Sequence, residues 1–174
     1  EFAVRSAIGL GASVKVFDKS LSKLRRLQDK LHERVAMNII NPKALEKSIR
    51  RTDVLIGAIR SRDSRTPCLI SEDMVKLMKP GSVIVDVSID RGGCVETSEV
   101  TSHTSPTFIK HGVIHYCVPN IPSRVARTAS FSLSNIFSSL LLDIGDYGGV
   151  NKIIFHKPNI GQGAYIINGK LVNK

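Results

Sequence analysis

The chain has 174 residues, of which 42% are hydrophobic and 23% charged. That is enough apolar content for one packed domain, or one domain with part of another, and too much for a disordered segment. Its net charge of +10 raises a nucleic-acid partner as a possibility, but the basic residues Lys19, Lys23, Arg25, Arg26, Lys30 and Arg34 are spread along one helical stretch without interleaved aromatics, the pattern of a solvated face. The three cysteines, Cys68, Cys94 and Cys117, form no C-x-x-C pair, which argues against a disulfide framework or zinc site and fits a reducing compartment. No apolar run nears the roughly 20 residues of a membrane span, and the opening segment lacks the order of a signal peptide, so a cytoplasmic protein is expected.

Residues Phe2 to Leu10 carry apolar positions at helical spacing, and Gly11 suits the helix end. Ala12 to Phe17 alternates and is β-branched, a strand ending at Asp18. Ser20 is placed to cap a helix through Leu21, Leu24, Leu27 and Leu31. Val35 to Ile40 is a second strand. Asn41-Pro42 opens a helix carrying Ala44, Leu45 and Ile49 on one face. Asp53 to Ala58 is a third strand, apolar enough to be buried on both faces. A polar loop, Ile59 to Pro67, precedes a helix capped by Ser71 and stopped by Pro80-Gly81. Ser82 to Val87 is a fourth strand, a long loop runs from Gly92-Gly93 to about Gly112, and Val113 to Val118 is a fifth strand. Arg124 to Gly145 contains a long helix, and Ala164 to Val172 reads as a hairpin around Asn168-Gly169.

Strands alternating with helices in this way predict an α/β fold with a doubly wound parallel sheet. The alternation stops near Ala129. Residues 1–129 are therefore expected to form a nucleotide-binding, Rossmann-like domain, and 130–174 a separate helix and hairpin segment. In such a fold an acid at a strand end, about 20 residues past the first glycine of a phosphate loop, accepts from ribose hydroxyls. Asp18 is such an acid, or an ordinary helix-capping Asp. Counting back places that glycine loop just before Glu1, so the first strand and loop are expected to lie outside this sequence. Ligands of open α/β sheets bind beyond the carboxyl ends of the strands. Gly57-Ala58-Ile59, Val87-Ser88-Ile89-Asp90 and Cys117-Val118-Pro119-Asn120 all point there. A carboxylate and an amide at that edge could orient a ring and handle a proton. Asp90 is the candidate, although a turn-initiating Asp before Gly92-Gly93 looks the same. Asp86, inside its strand, is read as a strand residue or one supporting the site from behind.

Two stretches, KPGSVIVDVSIDRGGCVETS (Lys79 to Ser98) and GVIHYCVPNIPSRVARTAS (Gly112 to Ser130), resemble the alanine dehydrogenase and pyridine nucleotide transhydrogenase family. The resemblance extends over nearly the whole chain. It implies reversible, NAD-dependent oxidative deamination of L-alanine to pyruvate and ammonia. It makes Asp90 a catalytic carboxylate beside the nicotinamide, a group the transhydrogenase branch typically lacks. It makes Asp18 the ribose-binding acid, places Lys23 near the adenosine half and Ile59 and Leu69 around the adenine, and lines the cofactor with Val87, Ser88 and Ile89 and with Val118, Asn120 and Ile121. Arg91, Glu99 and Ile40 depart from the family pattern. The catalytic His and Lys of the family belong to a substrate domain. None of His32, His103, His111, His115 or His156 matches them, so the chain alone is expected to be inactive. The segment 130–174 is expected to belong to the substrate domain of a longer parent and to favour a homo-oligomer. Two other readings stay open: a transhydrogenase alpha-subunit nucleotide domain, and a non-catalytic basic binding module.

Overall fold

The computed structural model describes residues 1–60 and 65–172; the centre of the polar loop expected between Ile59 and Pro67, residues 61–64, lies outside them. The fold divides into two compact units, Glu1–Pro119 and Asn120–Lys174.

In the first unit the chain runs α1 (Phe2–Gly9), β1 (Lys15–Asp18), α2 (Leu21–Asp29), β2 (Ala36–Ile39), α3 (Pro42–Ile49), β3 (Val54–Gly57), α4 (Glu72–Lys76), β4 (Val83–Asp86), β5 (Thr107–Lys110) and β6 (Val113–Tyr116). The predicted caps form. Ser20 accepts from the Lys23 amide, Asn41 from the Lys43 and Ala44 amides, and Ser71 from the Met74 amide, each satisfying a first-turn donor that the helix leaves unpaired. Gly11 follows α1 at φ 79°, a conformation that costs glycine little.

The strands form two sheets, β1 parallel to β2 and a four-stranded sheet in the order β3-β4-β6-β5. Strands β3, β4 and β6 are parallel, joined by crossovers, while β5 pairs antiparallel with β6. This makes the larger sheet mixed. The strand β5 falls where the sequence suggested only loop. Thr107 to Lys110 is too short to carry a period, and its turn is His111-Gly112, with φ 54° and 74°. Those angles are the mirror-image turn that matches strand twist, with histidine where asparagine is usual.

Leu45 and Ile49 from α3, Val75 from α4, Ile84 from β4 and Val113 from β6 form the core with Ile70, Met78, Cys94 and Val95, and Phe17 and Ile40 pack against it. Burying such side chains stabilises the unit by roughly 1.5–3 kcal/mol each. One expectation is corrected here. β3 is not buried on both faces, because Val54 and Ile56 are 56% and 47% exposed. Val54 and Ile56 alternate onto the same face of the strand, and nothing among the described residues covers that face, so an all-apolar run marks only capacity for burial.

The second unit holds α5 (Ala126–Asp146), α6 (Val150–His156), α7 (Pro158–Gly161) and a hairpin of β7 (Ile166–Ile167) and β8 (Lys170–Leu171). The hairpin turns at Asn168-Gly169, both at positive φ, as predicted. Ile153 is fully buried, and Lys157 bridges Asp143 at 2.6 Å while lying over the Tyr147 ring. The helices α6 and α7 were not anticipated; Gly148 and Gly149, both at positive φ, break the chain between α5 and α6. Among the described residues no helix is long and apolar enough to cross a membrane.

Candidate functional site

Parallel pairing sets the carboxyl ends of β3, β4 and β6 side by side, with Gly57 opposite Asp86 and Val85 opposite Tyr116. The site therefore starts from three loops leaving one sheet edge: Ala58–Ile59, Val87–Cys94 and Cys117–Pro119.

Beyond β4 the backbone closes a short 3₁₀ turn at Ile89–Arg91, bounded by Ser88 and by Gly92 at φ 92°. The Arg91 and Gly93 amides both donate to the Ser88 carbonyl, at 2.9 and 3.1 Å. This turn carries Asp90 into solvent while Ile89 and Ser88 face inward. The neighbouring loop is tied to it directly. The Ile59 amide donates to Ser88 Oγ at 2.8 Å, and the Val87 amide donates to the Gly57 carbonyl at 2.8 Å. Leu69 joins from the other side through its amide to the Cys94 carbonyl, 2.9 Å. Thus Ile59, Leu69, Val87, Ser88, Ile89 and Asp90 converge on one hydrogen-bonded frame.

Behind the turn lies Asp86, fully buried. Its Oδ1 accepts from the Ser88 amide at 3.0 Å, and its Oδ2 accepts from the Cys94 amide at 2.9 Å, the Val95 amide at 3.3 Å and Ser98 Oγ at 2.8 Å. A buried carboxylate requires such donors to offset its lost hydration. Two glycines make room for it. A Cβ on Gly93 would stand 2.8 Å from Oδ2, and one on Gly57 would stand 3.3 Å from Oδ1.

Asp18 ends β1, as an acid ends β4. Its Oδ1 accepts from the Ser20 amide at 2.8 Å, while Ser20 itself caps α2. Lys23 is exposed on α2, one turn further on. Val118 is buried, 1% exposed. Asn120 and Ile121 belong to the second unit, where Asn120 takes φ 52° and Ile121 opens a 3₁₀ turn with Pro122.

The thiols are unsuited to nucleophilic work. Burial pushes Cys94 up to about 12, with the Asp86 carboxylate adding to the effect, and burial also raises Cys117 and Cys68. Among the described residues no group of His, Cys, Asp and Glu could hold a metal ion. The sequence missed the links that matter most here, those from Asp86 and Ser88 to backbone far along the chain. The one signal for Asp86 was an acid inside an otherwise apolar strand.

Comparison with known proteins agrees in one direction. The family model described as alanine dehydrogenase/PNT, C-terminal domain, matches residues 1–174. An alanine dehydrogenase of Halomonas elongata is 42% identical over 98% of the chain and 46% of its own length. One of Bacillus subtilis is 42% identical over 87% of the chain and 40% of its own length. A solved L-alanine dehydrogenase superposes with a TM-score of 0.91 at 37% identity, covering 98% of the chain and 47% of that structure. A transhydrogenase of Sinorhizobium meliloti shares the fold at a TM-score of 0.76 and 22% identity, covering 98% of the chain and 45% of that structure. The chain spans under half the length of the alanine dehydrogenases it matches.

Proposed function

The chain belongs to the alanine dehydrogenase/PNT C-terminal domain family, and from that membership we propose that it is the nucleotide-binding portion of a longer, NAD-dependent alanine dehydrogenase. Membership carries with it a pyridine nucleotide cofactor. The residues fit one. Ala58 and Val87 are exposed apolar residues at neighbouring strand ends, held together by the Val87 amide on the Gly57 carbonyl, and Asp90 is exposed on the turn that follows Val87. Exposed apolar residues with a carboxylate on the following turn suit a ring that needs both packing and a nearby proton acceptor. This juxtaposition supports the reading above all others. Asp18 suits a ribose diol, which a carboxylate binds by accepting from both hydroxyls.

The cofactor, when bound, supplies hydride acceptance. The protein's contribution is placement and proton movement. Asp90 acts as a catalytic carboxylate, orienting and deprotonating the water that adds to the imino acid during deamination, or in reverse taking the proton from the ammonium whose ammonia adds to pyruvate. Ser88 and Ile59 hold the ring side of the site through the Ile59 amide on Ser88 Oγ. Lys23, Leu69, Val118, Asn120 and Ile121 are the remaining cofactor contacts that the family resemblance implies. Asp18 selects NAD over NADP, because a carboxylate there repels a 2′-phosphate. L-Alanine, pyruvate and ammonia are handled with groups of a substrate domain, to which the segment 130–174 also belongs. The exposed Phe131, Ile136, Leu141 and Leu142 of α5 leave an apolar face for the substrate domain or a second copy to cover, in a homo-oligomeric, cytoplasmic enzyme whose spread basic residues suit no nucleic-acid partner and which has no membrane partner. Steady-state kinetics of the longer enzyme with NAD and NADP test this. Alanine-dependent reduction of NAD, with NADP disfavoured and that preference weakened by Asp18→Ala, is the expected result. Coupling of hydride transfer to another nucleotide without alanine would favour the transhydrogenase reading instead, and steeply salt-dependent DNA binding a basic module.

A further inference from the structure

Asp86 is a heavily bonded buried side chain, and catalysis as described above does not use it. Its partners are three backbone amides, one hydroxyl and the Cys94 thiol, which donates to Oδ1 at 3.6 Å. They are distributed in a particular way. One oxygen holds Ser88, where the chain enters the turn carrying Asp90. The other holds Cys94, Val95 and Ser98, where the chain leaves it. The turn is also held from outside: the Thr66 amide donates to the Arg91 carbonyl at 2.9 Å, and the Leu69 and Ile70 amides donate to the Cys94 carbonyl at 2.9 and 3.2 Å. Its internal bonds run from Arg91, Gly92 and Gly93 back to Ser88 and Ile89, and both glycines take positive φ. The Asp86 carboxylate adds bonds at both ends of this turn, whose glycines leave its backbone permissive.

We propose that Asp86 is a positioning residue for the reaction, its buried carboxylate clamping both ends of the Ser88–Cys94 turn and so fixing where Asp90 stands against the cofactor. The same carboxylate orders Ser88, whose hydroxyl receives the Ile59 amide, so one group aligns the Asp90 turn with the loop beyond β3. Glycine is required at 93 for the same reason, since a Cβ there would stand 2.8 Å from Asp86 Oδ2, while at 57 a Cβ would press first on Cys94 Sγ and then on Asp86. Neutral donors alone surround the carboxylate among the described residues, which makes the acceptor count decisive. An amide at this place keeps the shape but turns an NH₂ group either toward the Ser88 amide or toward the Cys94 and Val95 amides, donor against donor in both orientations.

This inference rests on the reading of Asp90 given above, so the two are tested side by side in the longer enzyme. Asp86→Asn, Ser98→Ala and Asp90→Asn are compared by kcat, by KM for alanine and NAD, and by NADH-binding stoichiometry from fluorescence. For Asp86→Asn the expected result is a kcat lower by about tenfold or more per NADH site, as a displaced catalytic group costs, with both KM values within about twofold. A purely structural role would reduce the number of binding sites and leave kcat per site unchanged. Ser98→Ala removes one donor and keeps the charge at a partly exposed position. It is expected to fold and to lower kcat by about threefold. Native kcat per site in Asp86→Asn overturns the proposal, and if that variant does not fold, native kcat in Ser98→Ala does so. Retained turnover in Asp90→Asn sinks the reading of Asp90 itself, a separate outcome from native kcat in the Asp86 and Ser98 variants.

Discussion

His115 lies at the centre of β6, fully buried, and its ring is fixed on both nitrogens. Nδ1 sits 3.0 Å from the Val113 carbonyl and Nε2 sits 2.8 Å from Thr97 Oγ1. The carbonyl can only accept, so Nδ1 carries the hydrogen and Nε2 takes the Thr97 hydroxyl. The ring also stacks on Phe108, with centroids 4.8 Å apart. Burial holds its pKa below the usual 6.5, with the Val113 bond opposing in part. The folded state therefore binds this proton less readily than the unfolded chain. Stability from His115 is complete above about pH 6.5 and falls as the pH drops beneath that value, by up to about 1.4 kcal/mol per pH unit, until the folded ring titrates. His115→Gln removes the titration and, by disturbing the Thr97 and Val113 partners, costs about 1–3 kcal/mol at neutral pH. Urea unfolding of both proteins, followed by circular dichroism at about pH 7.5 and about pH 5.5, separates the two effects. The wild type is expected to lose stability across this interval and the variant to lose less. Glu1 and Glu72, which hydrogen bonds to Lys30 and His111 hold below the usual 4.5, titrate under this window, and the remaining histidines are common to both proteins. Equal losses in the two proteins would refute the neutral, buried ring.

Gly57→Ala places a Cβ 2.4 Å from Cys94 Sγ and is expected to destabilise the first unit by about 1–3 kcal/mol. Adding Cys94→Ala should recover part of that loss, and a double variant no more stable than Gly57→Ala, in the same urea assay, would place the strain elsewhere. With Cys94 and Cys117 buried and Cys68 exposed, a thiol reagent should label Cys68 first in the native protein and the other two only on unfolding. Labelling kinetics followed by peptide mass spectrometry check this.

Much of the fold was legible because local and global preferences agree. Ser20, Asn41 and Ser71 sit where helices start, and the β-branched runs ending at Asp18, Gly57 and Asp86 are strands. Elements were lost where the signal is non-local or brief. Strand β5 exists because β6 offers it a partner, and α6 and α7 are too short to show a clear period. For the site, Asp90 was visible as an acid after a strand, but spacing alone could not separate it from a turn-forming Asp. What the sequence could not reveal was the clamp behind it. Ser88, Cys94, Val95 and Ser98 meet Asp86 only after the loop folds back over the sheet edge, and nothing in their spacing announces that. Likewise the exposure of Val54 and Ile56 depends on what covers that face of β3, not on the residues of β3 itself.

The central claim is that this domain places Asp90 at the reacting end of NAD in an alanine dehydrogenase. The most direct measurement is alanine-dependent NADH formation by the longer enzyme and its Asp90→Asn variant, with NADH affinity measured on the same samples. The account predicts turnover in the wild type, a loss of about 100-fold or more in the variant, and NADH affinity changed by less than about threefold. Wild-type turnover that survives the substitution, or no alanine-dependent NADH at all, would contradict it.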